Sequence, residues 1–247
     1  MTKKTTLEKT ITGSSFYKQV AKYKLGEREN LADSLILSGN IPQFLKKMKR
    51  INVSIFDSLN QKTIRAHYFV TPDYLSIGTN EDFARLPLSP MLAQRIADSF
   101  HCFLPTRKIV NDIYAQAKVK LEPQPLFAFR DSAPTFYYHH LIIEGQRQLK
   151  KGLIAGIKKD VVISSKIMHD ARPNRVVIYG WHKLDGQPIQ PLYTGHVNWY
   201  VDYSHGIRLV DRTIWVGRKK MDYTDVLMHP ILRRLICDED ECNFYHY

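Results

Sequence analysis

The sequence predicts an α+β protein, with a small hairpin-plus-helices N-terminal part and a mostly antiparallel C-terminal sheet. Segments that alternate apolar and polar residues precede a block with helical spacing, and short segments of β pattern follow one another from residue 153 onward. A chain of 247 residues, 44% of them hydrophobic, can bury a sizeable core. We therefore expect a folded protein with one or two core-forming parts.

The N-terminal part begins with a predicted basic, weakly ordered arm over residues 1–28. A short helix is predicted over 29–37, and Pro42 then opens a second one. The stretches INVSIFD (51–57) and TIRAHYFV (63–70) alternate, carry β-branched residues and are separated by turn formers. This pattern predicts a β-hairpin.

A pair of amphipathic helices is predicted next, which completes an N-terminal lobe over residues 29–121. Pro90 begins the first helix, and Thr106 is a suitable N-cap for the second. Each helix carries apolar residues on one face, so both are expected to pack on a core.

The stretch EPQP (122–125) is interpreted as a linker to a C-terminal, β-rich lobe over 126–247. A helix is favoured for FYYHHLIIEGQRQLKKG, and strands for GLIAGI, DVVISS, RVVIYGWH, GIRLV and TIWVG. The dipeptide Asp211–Arg212 is predicted to turn the last two strands into a hairpin. Pro230 is expected to break the closing helix.

The charge balance predicts an anionic partner. The chain carries 36 Lys and Arg against 24 Asp and Glu, a formal net charge of +12. Residues 1–50 alone hold 11 basic and 4 acidic residues. Such a surplus attracts anionic polymers, either cell-wall polymers or nucleic acid, although basic runs also serve solubility.

The sequence shows neither an apolar run long enough for a transmembrane segment nor a signal peptide. Its three cysteines are an odd number and do not make a disulfide framework, which favours a reducing compartment such as the cytoplasm. Chance surface placement is the simplest interpretation of Cys237 and Cys242.

Histidines and an aspartate cluster in the stretch HVNWYVDYSHGIRLV (196–210). His196, Asp202 and His205 have the spacing H-x5-D-x2-H, and His182 ends the predicted strand RVVIYGWH. An imidazole oriented by a carboxylate can move protons near neutral pH. Alternatively, His182, His196 and His205 could hold a divalent metal such as zinc. The structural alternative is an aromatic cluster whose polar groups satisfy one another.

Ser204 and Cys102 are the candidate nucleophiles. In a strand, Ser204 shares a face with Asp202 while His205 lies opposite, so Ser204 would need His182 or His196 as its base. Cys102 precedes a predicted helix start, where the helix dipole favours a thiolate. The alternative for Cys102 is a small buried hydrophobe.

Candidate substrate-binding residues surround this stretch. Arg208 can bind a carboxylate or phosphate, and Lys159 can add a basic wall. The rings of Tyr193, Trp199 and Tyr203 can stack on sugars or bases.

Four segments carry a resemblance to a bacterial protein family of no known activity. They are LPTRKIVNDIY, KKDVVIS, VVIYGWHKLDGQPIQPLY and VDYSHGIRLV. The chain resembles that family over roughly residues 38–236. The resemblance implies one intact, ancient domain and carries over no catalytic assignment.

The sequence thus predicts a hydrolase that acts on amide or ester bonds of a polymeric or anionic substrate, such as cell-wall material. The alternative is a non-catalytic basic binding or structural protein, of the kind found in virions, that holds a polyanion or glycan. Convergence of the histidines in an open cleft would favour the first hypothesis.

Overall fold

The structure is a computed structural model that describes residues 10–247. Its α-helices are α1 (Gly13–Gln19), α2 (Leu25–Leu37), α3 (Pro90–Ser99), α4 (Arg107–Gln116), α5 (Ala133–Arg147) and α6 (Tyr223–Met228). Its strands are β1 (Lys49–Asp57), β2 (Lys62–Val70), β3 (Ser76–Gly78), β4 (Phe83–Arg85), β5 (Cys102–Phe103), β6 (Val119–Lys120), β7 (Ile154–Ala155), β8 (Lys159–Val161), β9 (Arg175–His182), β10 (Pro188–Val197), β11 (His205–Gly206), β12 (Val210–Asp211), β13 (Thr213–Val216) and β14 (Lys219–Asp222). The α+β prediction is confirmed, and the sheets are mostly antiparallel.

The largest sheet has six strands and is built around β2, which pairs with β1, β12 and β13. The predicted hairpin is confirmed, since β1 and β2 pair in register from Lys49 opposite Val70 to Asp57 opposite Lys62. Along β2, Ala66 and Tyr68 are buried while Arg65 and His67 point to the other face. This alternation lets one face of the sheet cover the core and leaves the other open.

This sheet joins the two lobes that the sequence suggested. Strands β1, β2 and β5 precede the EPQP stretch, whereas β12, β13 and β14 follow it, and all six belong to one sheet. Phe16 and Tyr17 in α1 are also buried in the main core, so part of the predicted weakly ordered arm is ordered. Residues 1–9 of that arm lie outside the described residues.

The second sheet carries the candidate site and has the strand order β10-β9-β8-β11. Strand β8 runs antiparallel to β9 but parallel to β11. Strict alternation along β9 would place His182 with Val176 and Ile178 in the core. Positive φ angles at Gly180 (+106°) and Trp181 (+57°) interrupt that alternation. His182 consequently lies beside α4, while Trp181 lies near Tyr203.

The predicted hairpin across Asp211–Arg212 is wrong. Strand β12 pairs with β2 and β5, whereas β13 forms its hairpin with β14 through a turn at Gly217, whose φ is +59°. Only the two ends of GIRLV are in strands, Gly206 in β11 and Val210 in β12, and Ile207–Leu209 lie outside regular structure. Its apolar residues suit a buried connection as well as a strand, so composition alone did not distinguish them.

The starts of α3 and α4, which were predicted from Pro90 and from the N-cap Thr106, are confirmed. The side chain of Thr106 accepts a hydrogen bond from the amide of Ile109, 3.2 Å away, and caps α4. Ser89 and Pro90 begin α3 in the same manner. Local side-chain chemistry decides such starts, so the sequence reveals them.

Cys237 and Cys242 form a disulfide bond, which corrects the expectation of chance surface placement. Both cysteines are buried, and the connected segment packs on the main core. An odd cysteine count therefore did not exclude one local pair. Cys102 is the remaining free cysteine.

Candidate acid-base site

The candidate site is centred on a turn between β10 and β11. The carboxylate of Asp202 accepts hydrogen bonds from the amide of Ser204 at 2.8 Å and from its hydroxyl at 2.5 Å. The carbonyl of Ser204 accepts from the amide of Lys159 at 2.7 Å, which ties the turn to β8. Residues 202–204 are therefore not a strand, and the expectation that Asp202 and His205 face opposite sides is wrong.

His205 brings an imidazole to this carboxylate. Its Nε2 lies 3.9 Å from Oδ1 of Asp202, is buried and has no hydrogen-bond partner among residues 10–247. The ring centroid of His205 is 5.9 Å from that of His196 and 6.2 Å from that of Tyr200. Three of the predicted site residues, His196, Asp202 and His205, thus lie together.

His196 is the member of this group that is half-exposed. Its ring stands 4.7 Å from Tyr200 and 5.2 Å from Tyr193, measured between centroids. Burial lowers the pKa of His196, and it lowers the pKa of His205 to about 4. Both imidazoles are consequently neutral near pH 7 and able to accept a proton.

Positive groups keep Asp202 ionised. Burial by itself would raise its pKa, but the Ser204 hydrogen bonds and Lys159, together with His205 when that ring is protonated, outweigh burial and lower the pKa below the usual value. Nη2 of Arg130 also lies 2.9 Å from Oδ2 of Asp202. A negative charge next to two neutral imidazoles favours the imidazolium when a proton arrives.

Lysines on β8 and the residue before it line the inner side of the site. Nζ of Lys159 lies 4.9 Å from the ring centroid of Trp181. Lys158 is fully buried, donates to the carbonyl of Tyr203 and has Nζ 3.1 Å from Nδ1 of His139. Burial lowers the pKa of Lys158 to about 7. The environment is therefore rich in positive or potentially positive groups.

A cleft of about 410 Å³ opens beside the turn. Trp199, Tyr200 and Val201 line one wall, and the α1–α2 connection lines the other, together with the segment that starts α5. The side chain of Trp199 is 59% exposed and that of Tyr193 is 42% exposed. These two predicted substrate-binding rings are accessible from solvent.

His182 does not join the group. It lies beside α4, where its Nε2 is 3.1 Å from Oδ1 of Asn111 and its ring stacks on Tyr114 at a centroid distance of 4.5 Å. The interrupted alternation of β9 is the physical reason, because it turns His182 to the α4 side of the strand. Burial lowers its pKa to about 4.

Neither predicted nucleophile has a histidine as its base. The Ser204 hydroxyl is buried and donates to Asp202. The Cys102 thiol is buried at β5 and points to the carbonyl of Phe100 at 3.4 Å. Burial raises the pKa of Cys102 to about 12, so this thiol stays protonated at neutral pH.

Two of the predicted substrate-binding residues are structural. Arg208 is fully buried, donates to the carbonyls of Thr71 and Ile154, and stacks over the ring of Tyr74. Tyr203 is buried and exchanges hydrogen bonds with the backbone of Leu126. Neither side chain can reach an external anion or glycan.

The metal alternative finds no support in the described part of the chain. Residues 10–247 contain no group of three or more His, Cys, Asp or Glu side chains placed to hold a metal ion. His182 is separated from the other two candidate ligands for the reason given above, so the proposed His182–His196–His205 set does not form.

Two residues of the site were not predicted from the sequence, namely Arg130 and His139. Arg130 lies in a polar loop and His139 in a helix, far from the turn in sequence, so no local pattern links them to Asp202. The lysine doublet before DVVISS was the one available signal, and it indicated Lys159.

The comparisons with known proteins return no match: no family model, no curated protein and no solved structure resembles this chain. Within residues 10–247, no helix is long and apolar enough to cross a membrane. The function must therefore be argued from the geometry of the site.

Proposed function

We propose that this protein is a hydrolase that acts on amide or ester bonds of a polymeric or anionic substrate. One observation carries the proposal: the partly exposed, neutral imidazole of His196 stands next to the ionised Asp202 and to His205, whose Nε2 has no hydrogen-bond partner within residues 10–247, and its ring packs on Tyr200, which lines an open cleft. Unpartnered polar atoms in a buried site are uncommon and occur at functional positions.

The proposed chemistry uses His196 as general base. It takes a proton from water while the water oxygen bonds to the substrate carbonyl carbon. The imidazolium then gives the proton to the leaving nitrogen or oxygen as the C–N or C–O bond breaks. Asp202 stabilises the imidazolium, and His205 lies behind it as a buried second imidazole.

In this proposal, accessible groups near His196 and the adjacent cleft bind the substrate. Trp199 and Tyr193 present exposed rings, and Arg130 is partly exposed. Arg130 and Lys159 can stabilise negative charge that develops on the carbonyl oxygen. The disulfide favours an oxidising compartment over the cytoplasm that the cysteine count suggested. Cell-wall material remains the proposed kind of substrate.

The variant His196→Gln tests the proposal. It keeps a hydrogen-bonding side chain but removes the base, so hydrolysis should fall by about 10²–10⁴-fold. The assay measures release from a panel of ester substrates and of cell-wall polymers with amide cross-links. The wild-type rate should rise with pH as His196 loses its proton. The midpoint of this rise should lie below about pH 6.5, because burial lowers the pKa of His196.

His169→Gln is the matched control, since His169 is exposed and pairs with Glu241 away from the cleft. It should hydrolyse the substrates like the wild type. Equal activity of the wild type and His196→Gln would refute the assignment of the base. The absence of hydrolysis across the panel would refute the proposed reaction.

A second candidate is a non-catalytic protein that holds a glycan or polyanion on the exposed rings of Trp199 and Tyr193. It predicts that cell-wall polymer binds through these rings and that His196→Gln binds it as the wild type does. Neither protein should hydrolyse the polymer.

A further inference from the structure

The outward face of the large sheet carries a row of basic and aromatic side chains that the acid-base site does not use. Arg50, His67, Trp215 and Lys220 lie side by side on β1, β2, β13 and β14, in that order. Nη2 of Arg50 is 3.2 Å from Nδ1 of His67. The rings of His67 and Trp215 stack 5.6 Å apart at 9°, and Nζ of Lys220 lies 4.7 Å from the Trp215 ring centroid.

A groove of about 430 Å³ opens at the Arg50–His67 end of this row. Its walls include Arg50 and Asn52 from β1, Arg65 and His67 from β2, and Gly217 at the β13–β14 turn. The opposite face of β2 is buried in the core, so the groove lies on the solvent side of the sheet.

The groove is lined by two positive side chains, Arg50 and Arg65. The β1–β2 and β13–β14 hairpins around it hold seven cationic residues in all: Lys49, Arg50, Lys62, Arg65, Arg218, Lys219 and Lys220. Within residues 10–247, none of the seven forms an ion pair. The acidic residues of these hairpins are engaged elsewhere, since Asp57 accepts from Asn60 and Asp222 pairs with Arg212.

The pKa of His67, the histidine in the row, is lowered in this environment. Burial lowers the pKa of His67, and the neighbouring Arg50 lowers it further. Arg50 donates a hydrogen bond to the neutral His67, and an anion bound beside both side chains would favour the protonated form of His67. The sheet face is thus complementary to negative charge.

We propose that this face of the sheet, from Arg50 across the groove to Lys220, binds an anionic polysaccharide through its sulfate or carboxylate groups. Trp215 lies between His67 and Lys220 on neighbouring strands, so its ring faces are already covered and are not free to stack on a nucleic-acid base. The surface therefore offers charge and hydrogen bonds. The disulfide also indicates an oxidising compartment, where such polymers occur more than nucleic acid does.

Heparin serves as the probe, and the full chain is used. The triple variant R50Q/R65Q/K220Q keeps hydrogen-bonding side chains at these positions but removes three positive charges from this face of the sheet. Its affinity for heparin at 0.1 M salt should fall by at least about tenfold. The slope of log affinity against log salt should become shallower, because fewer counterions are released. Calorimetry at several salt concentrations measures both quantities.

The matched control K118Q/K150Q/K151Q removes three exposed charges outside both the groove and the cleft and should bind heparin nearly as the wild type does. The variant R50K/R65K retains the charge and should retain most of the affinity. Far-ultraviolet circular dichroism and the urea midpoint verify that all variants are folded.

Three results would overturn the inference: no heparin binding by the wild type, equal losses in both triple variants, or tighter binding of single-stranded oligothymidine through the same three residues. The last outcome would assign the groove to nucleic acid. His196→Gln should bind heparin normally, so failure of the proposed hydrolytic function and failure of this binding site are distinguishable.

Discussion

Replacing Arg85 by Met is expected to lower the free energy of unfolding by about 3–5 kcal/mol. Arg85 and Asp73 are both about 1% exposed, and the guanidinium binds the carboxylate through Nη2 at 2.6 Å and Nε at 2.9 Å. Its Nη1 also lies 2.8 Å from Oε1 of Glu144. Removing the guanidinium leaves a buried carboxylate without its main partner, which costs far more than the contact itself contributes.

Arg95→Met is the control for this substitution. Arg95 pairs with Asp33 at 3.1 Å, but its side chain is 63% exposed, so solvent screens the pair. We expect a change of less than about 1 kcal/mol. Urea unfolding followed by tryptophan fluorescence compares the variants. Similar losses in both would show that burial does not govern the strength of these ion pairs.

Acid should destabilise the protein through its buried histidines, and His182 offers the clearest case. Burial lowers its folded-state pKa to about 4, whereas an unfolded histidine titrates near pH 6.5. Between these values the unfolded chain binds more protons, so the stability that His182 contributes is complete above about pH 6.5 and is lost as the pH falls toward 4. The difference in pKa corresponds to about 3 kcal/mol.

The variant His182→Phe isolates this contribution. Phenylalanine preserves the stacking on Tyr114, and Asn111 keeps its hydrogen bond from Tyr179. The stability of the variant relative to the wild type should rise by up to about 3 kcal/mol as the pH falls from 6.5 to 4. The wild type alone does not isolate the effect of His182, because burial raises the pKa of Asp160 to about 7. The contribution of Asp160 to the free energy of unfolding therefore increases as the pH falls, opposite to that of His182.

His246→Phe removes an exposed histidine and is the control for the substitution itself. Urea midpoints measured at intervals between pH 4 and pH 7 provide the test. A flat difference for His182→Phe as well would contradict the burial argument for this imidazole.

The sequence predicted the elements whose causes are local. The β1–β2 hairpin follows from alternation around a polar turn, and the start of α4 follows from the Thr106 cap. The order of the second sheet and the hairpin at Gly217 required knowledge of strand partners distant in sequence. Alternation indicates that a segment is a strand but does not choose its neighbour.

The same distinction between local and distant causes applies to the residues of the candidate site. The sequence by itself grouped His196, Asp202 and His205 as candidates because they are close along the chain, but it did not predict the turn at residues 202–204 that brings Asp202 and His205 together. Tertiary structure alone decided that His182 faces α4, that Arg208 is buried and that Arg130 reaches Asp202. These outcomes depend on packing between distant segments and on two positive φ angles in β9, which residue types alone do not specify.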